Sequence, residues 1–341
     1  MMQRHSRIVS TGRFVPSYRQ ANSEVESNCD LESGWIKRRT GIDARPIADS
    51  SHAVSDLAVA AGSIALQRFW EQDRTIELVQ SDLVEMAPEI GMLILATSTP
   101  DFLLPPTAPD VASQLGLGTV PAFDIAVACS GFLYALQLAD HFCKAESKSV
   151  LVIAANVLSR RVSPTDPASA AIFADGAGAI VVSPSDSEGI MAMKLESDGT
   201  GSSHLKIPEG GSRFPFNKET FAKGGHLMGV ENGMAVFRYA VESMARLGQE
   251  VMDAENLTSA DIDFWIPHQA NRRIIESVQS RLGLRDGKVG ITIEKFANSS
   301  AATIPIALDY FFEKGKVKRG DKVLLTAAAA GLTSGAAVIK L

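Results

Sequence analysis

The chain has little cysteine, no long apolar run and no strong charge of either sign, and each shortage removes a class of protein. Its three cysteines, Cys29, Cys129 and Cys143, are scattered through 341 residues with no CxxC pair. That spacing argues against a disulfide framework and against a zinc or other metal site, so each thiol is judged singly. No segment offers ~20 uninterrupted apolar residues, and the opening MMQRHSRIVSTG lacks the apolar stretch of a signal peptide. The expectation is a cytoplasmic protein with no membrane association. A net charge of −6 gives no global attraction to nucleic acid or to an anionic surface. Any anionic partner would have to meet a local basic patch.

What is present is ample material for a core, with 45% hydrophobic and 21% charged residues. A chain of this length is expected to fold as two intimately packed halves. Short apolar runs predict strands at 90–96, 120–128, 149–155, 177–183, 262–266, 322–326 and 336–340. Apolar residues at helical spacing predict helices at 55–70, 108–115, 132–145, 235–254, 272–282 and 303–314. Such alternation implies α/β layers. Residues 185–233 are rich in Gly, Ser and Pro and read as a long excursion with an ordered hairpin inside it, either covering a site or serving as a plain linker.

A repeat appears when the halves are laid over each other. FDIAVACSGFLYALQLAD (123–140) has the layout of ITIEKFANSSAATIPIALD (291–309): strand, a small polar or reactive residue, small residues, amphipathic helix. EIGMLILATST (89–99) matches DIDFWIPHQAN (261–271), and DGAGAIVVS (175–183) matches TSGAAVIKL (333–341). Two copies in the same order indicate an internal duplication rather than a solenoid, with halves at 1–184 and 185–341. Cys129, His268 and Asn298 then fall at C-terminal ends of strands, where related halves can bring them together.

Each of these three residues has an ordinary use and a chemical one. A thiol at the first turn of a helix meets the positive end of the macrodipole and free N–H groups, which favour thiolate, whereas most lone cysteines act as small buried hydrophobes. His268, in WIPHQANRRII, is placed to exchange a proton or to donate from a neutral ring, and is otherwise a structural histidine. Asn298, in KFANSSAA, is a donor for a developing oxyanion or a turn residue.

The motifs CSGF, PHQANRRII and NSSAA, with GWIKRRTGI, FADGAGAIVV and AAGLTSGAAV around them, resemble the β-ketoacyl-acyl carrier protein synthase III family of the thiolase superfamily. The resemblance spans essentially the whole chain. It implies a five-layered αβαβα fold of two pseudo-duplicated halves, a homodimer, and no cofactor, because acyl-CoA and malonyl-acyl carrier protein are substrates. It implies that Cys129 takes the acyl group while His268 and Asn298 stabilise the enolate left by decarboxylation. Backbone donors for the second oxyanion would come from Cys129 and from residues 328–331, Ala330 and Gly331 among them. Trp35 and Arg39 would clamp the adenine of CoA with Arg160 opposite. Arg238 and Arg273 would meet CoA phosphates or the acidic carrier protein.

The chain also departs from that family's pattern. Ala330 and Ala297 stand at positions usually held by glycine, and alanine resists positive φ. Leu104, in STPDFLLPPTAP, stands where some relatives carry a phenylalanine that gates the acyl pocket. Two other readings stay open: an acyltransferase or specialised ketosynthase using the same cysteine, and a catalytically silent binding subunit.

Overall fold

The computed structural model describes residues 5–72 and 90–341. Glu89 of the repeat and the first four residues of the opening stretch lie outside the described residues. The first sheet contains β1 (His5–Phe14), β2 (Ile90–Ala96), β3 (Ala122–Ile125), β4 (Ser149–Val157) and β5 (Asp175–Ser185), in the order β1-β5-β4-β2-β3. The second contains β6 (Ile190–Ser197), β7 (Phe264–Pro267), β8 (Lys322–Ala329) and β9 (Thr333–Lys340), in the order β7-β8-β9-β6.

The two sheets have matching topologies. In the first, β2 and β4 are parallel and β4, β5 and β1 antiparallel. In the second, β7 and β8 are parallel and β8, β9 and β6 antiparallel. The counterpart of β3 is reduced to one parallel bridge, Trp265 with Val289. Residues 291–296, expected as a strand, instead lead into a short helix, Ile293–Phe296.

Side-chain alternation explains why the strands read as continuous apolar runs, since both faces of each sheet are covered. In the first sheet Ile94, Val150, Val152 and Ile180 face the middle of the molecule, while Leu93, Leu95, Leu151 and Ile153 face outward. In the second, Ile266, Val323 and Leu325 face the middle, and Trp265, Leu324 and Val338 face out. Helix α1 (Val54–Gln72) covers the outer face of the first sheet. Helix α2 (Gly131–Glu146) and its counterpart in the repeat, the helix Thr303–Glu313, fill the middle layer. Gly233–Ala254 and Arg272–Leu282 cover the outer face of the second sheet. The result is five layers, αβαβα.

The middle helices are pinned to β1 by aspartates at matched positions of the repeat. Asp140 accepts from Ser6 Oγ at 2.6 Å, and Asp309 accepts from Thr11 Oγ1 at 2.7 Å while pairing with Arg13 and Arg68. Close approach also needs Gly178, where a Cβ would lie 2.7 Å from the Ile306 nitrogen. The turns that precede the two helices, 128–130 and 300–302, pack against each other.

Candidate active site

After β3 the chain turns through Ala128, whose φ of +43° lies in the left-handed region, and Cys129 then starts the turn that runs into the 16-residue α2. The thiol is buried, and Ser300 Oγ donates to Sγ at 3.4 Å. Burial pushes the thiol up to about 11, opposed by the hydrogen bonds from Ser300 and from the cysteine's own N–H. The expectation of a favoured thiolate is corrected on this point: desolvation outweighs the donors.

His268 directly follows β7, and its N–H donates to the Thr326 carbonyl at 2.8 Å. Its Nδ1 lies 2.7 Å from Thr303 Oγ1, an oxygen that already accepts from the Gln269 N–H at 3.3 Å. We assign the Thr303 proton to Nδ1, the tautomer in which the neutral ring carries its proton on Nε2. Burial holds the imidazolium down to about 3, so the ring is neutral at neutral pH.

Asn298 is joined to the first half by backbone. Its N–H donates to Ile172 O at 3.2 Å, and its carbonyl accepts from Ala174 N–H at 2.9 Å. Its side-chain Oδ1 accepts from Ser300 N–H at 2.8 Å, which leaves the NH2 as the free, donating end. Ala297 and Ser300 take φ of +50° and +57°, so the alanine does occupy the left-handed conformation usually given to glycine. Ala330 does not; there the positive φ, +136°, falls on Gly331. The concern raised by an alanine at 330 therefore does not apply.

Cys129, His268 and Asn298 line one cavity of about 270 Å³, with Ala328, Ala329 and Ala330 along one wall. Gly331 is not among its lining residues. An outer cleft of about 1020 Å³ shares Ala168, Ile172, Phe237 and Asn271 with this cavity, so the two adjoin. Trp35, Arg39 and Arg273 line the cleft, and the Arg39 guanidinium lies 5.7 Å from the Trp35 ring centre. A wide cleft with cations and an aromatic plane thus lies beside a narrow, mostly apolar chamber that holds a thiol.

Three expected binding residues line neither space. Arg160 donates from Nη2 to the carbonyls of Asp49, Ser50 and His52 and lines neither space; Pro167 and Ala168 wall the cleft instead. Arg238 is exposed on its helix and lines neither. Leu104 is 84% exposed, beside exposed Phe102 and Leu103, and does not enter its own chain's cavity. The sequence reading missed Thr303, Ser300 and Gln269. Gln269 donates to Pro267 O and Gly290 O and accepts from the N–H groups of Thr292 and Ile293, tying the histidine turn to the segment that leads to Asn298. Their only signal was polar side chains inside apolar, small-residue motifs.

Two family models match, 3-oxoacyl-[acyl-carrier-protein] synthase III over residues 123–199 and its C-terminal part over 252–341. A 3-oxopimeloyl-[acyl-carrier-protein] synthase of Rhodothermus marinus is 47% identical, over 99% of this chain and 94% of its own. The chain belongs to the 3-oxoacyl-[acyl-carrier-protein] synthase III family. A β-ketoacyl-[acyl-carrier-protein] synthase III of Caldanaerobacter subterraneus is 42% identical over 98% of this chain and 97% of its own. Among solved structures, the synthase III of Aquifex aeolicus superposes with a TM-score of 0.85 at 35% identity, covering 98% of this chain and all of that one. The fold expected of the synthase III family, thiolase-like with duplicated halves, is the fold described above.

Proposed function

We propose that the chain is a condensing acyltransferase that joins an acyl-CoA primer to malonyl-acyl carrier protein, with loss of CO2, to give a 3-oxoacyl-acyl carrier protein. The Cys129 sulfur attacks the primer thioester, its S–C bond forms as the bond to CoA breaks, and the CoA thiolate leaves with the proton. The malonyl group then loses CO2, and the freed electron pair moves onto the thioester as an enolate. His268 Nε2–H and Asn298 NH2 donate to that oxygen in a chamber that holds little water. The enolate carbon attacks the acyl-cysteine carbonyl, and collapse of the adduct returns the Cys129 thiolate. The Cys129 N–H and a donor from residues 328–331 serve the second oxyanion.

Support comes from one observation above the others: a sulfur, a buried imidazole and a carboxamide with its NH2 free, drawn from both halves, line a single chamber. In this reading Trp35, Arg39 and Arg273 bind CoA or the carrier arm, no cofactor is needed, and the two halves are 1–184 and 185–341. Among the described residues no helix is long and apolar enough to cross a membrane, and we take the enzyme to be cytoplasmic. We also take it to be a homodimer in which a second copy covers the exposed tip bearing Phe102, Leu103 and Leu104. Only across such a contact would Leu104 reach an acyl pocket.

The name of the 47% relative favours a second reading of the primer, though not of the chemistry. A 3-oxopimeloyl product follows from adding a two-carbon unit to a five-carbon acyl group that ends in a carboxylate. The test is to mix the protein with malonyl-acyl carrier protein and a panel of acyl-CoAs, including that dicarboxylic one, and to measure CO2 and 3-oxoacyl product together. Stoichiometric CO2 and product support condensation. Acyl transfer without CO2 points to a plain acyltransferase, and absence of any turnover to a silent binding subunit.

A further inference from the structure

Ser300 touches both halves of the chemistry through different atoms. Its hydroxyl donates to Cys129 Sγ at 3.4 Å, and its backbone N–H donates to Asn298 Oδ1 at 2.8 Å. It is 3% exposed and is held at φ +57°, a conformation that serine rarely adopts. Strain of this kind persists only where the surroundings enforce it. Here the result is a side chain aimed at the sulfur from one end and an amide aimed at the asparagine from the other. The site offers the sulfur few other partners. Among the described residues, the titratable ones lining the cavity are Cys129, His268 and Tyr239, with no carboxylate, lysine or arginine. With the histidine neutral, the donors to Sγ are the Ser300 hydroxyl and the cysteine's own N–H.

We propose that the Ser300 hydroxyl is a dedicated donor to the nucleophile, fixing Sγ and sharing its negative charge as the S–H proton leaves, while the backbone of the same residue independently orients Asn298. The proposal rests on the reading of Cys129 as the acyl-accepting nucleophile. When the S–H bond breaks, the proton passes to solvent or to the departing CoA sulfur, and the Ser300 O–H bond stays intact throughout. Once the sulfur is acylated it is a weak acceptor, and the hydroxyl has no part in the decarboxylation that follows.

The two functions separate experimentally. Ser300→Gly removes the hydroxyl and accepts φ +57° without strain, and Ser300→Ala removes the hydroxyl while keeping a Cβ; both keep the backbone N–H. Cys129 alkylation by iodoacetamide, mapped to its own peptide by mass, is followed from about pH 7 to about pH 10, where the rate reports the thiolate fraction. Loss of a hydrogen bond to a charged group should move the rate profile up by about one pH unit, so that both variants react about tenfold more slowly at a given pH. In a single turnover of enzyme already acylated on Cys129, CO2 release should fall far less than the alkylation rate does, because the backbone N–H that orients Asn298 is retained. An unchanged alkylation profile overturns the proposal, as does a shift seen in the alanine variant only, which would trace to backbone strain. A shifted profile in a protein that takes no acyl group from acyl-CoA would leave this assignment standing and remove the proposed function instead.

Discussion

Thr303 Oγ1 lies 2.7 Å from His268 Nδ1 and also accepts the N–H of Gln269; with its proton assigned to Nδ1, one hydroxyl on a middle-layer helix keeps the ring proton on Nε2. That helix is itself fixed by Asp309 to Thr11, Arg13 and Arg68 at its other end. The chain of positioning runs from a buried carboxylate, along a helix clamped between two sheets, to the tautomer of an imidazole.

Thr303→Val should therefore impair decarboxylation more than acylation. Without the hydroxyl, Nδ1 is free to carry the proton and Nε2 ceases to be a donor, which should cost roughly ten- to hundredfold in CO2 release. Acyl-enzyme formation on Cys129 should change by less than about threefold, and Thr303→Ser should recover both. The measurement is CO2 release beside intact mass. Equal losses in the two half-reactions would count against this role.

Asn298→Ala removes one of two donors to the enolate, and a loss of roughly 10² to 10³ in condensation is expected. Its backbone bonds to Ile172 and Ala174 do not involve the side chain, so folding should survive, as checked by thermal melting. Acylation by primer should persist, since the charge that Asn298 meets arises only in the second step.

His268 carries a pH signature. Its ring is held neutral in the fold down to about 3, against 6.5 for an ordinary histidine. Above the ordinary value neither state binds the proton and stability is unaffected. As pH falls below it, the unfolded chain takes a proton that the fold refuses, so stability is lost progressively toward about 3. Urea midpoints at about pH 6.5 and about pH 5 should differ less in His268→Gln than in wild type. An equal difference in both proteins would contradict a buried neutral ring.

Residues of the outer cleft are distinguished from Arg160, which lies outside it. Trp35→Ala should raise the KM for acyl-CoA roughly fivefold, from loss of the aromatic plane and its stacked guanidinium. Arg160→Ala should leave that KM within about twofold while lowering the melting temperature, because its donors hold the carbonyls of the 49–52 loop. Arg273→Glu should raise the KM for the carrier substrate more than for the primer. Steady-state kinetics with each substrate varied in turn would check all three.

The layers were legible because buried strands read as unbroken apolar runs, and the helix 272–282 was read to the residue. β1 and β6 were not, since HSRIVSTGRF and IMAMKLES carry polar and charged residues that break the run. The excursion holds β6 and a two-stranded ribbon joining Leu205–Lys206 to Gly229–Val230. The residues that converge at the thiol were visible from residue type, position after a strand and the repeat. Thr303 and Ser300 escaped because a hydroxyl's partner depends on helix register and on a positive φ, neither of which composition reveals. The anchoring of Arg160 escaped for a similar reason: nothing in LSRRVSP says that its guanidinium closes on three carbonyls.

The central claim is tested most directly by following one acyl group. Incubation with acyl-CoA alone should add the acyl mass to the peptide containing Cys129 in wild type and not in Cys129→Ala; malonyl-acyl carrier protein should then discharge it as 3-oxoacyl product with one CO2. Product formed without that adduct, or an adduct that leaves only as free acid, would contradict the account.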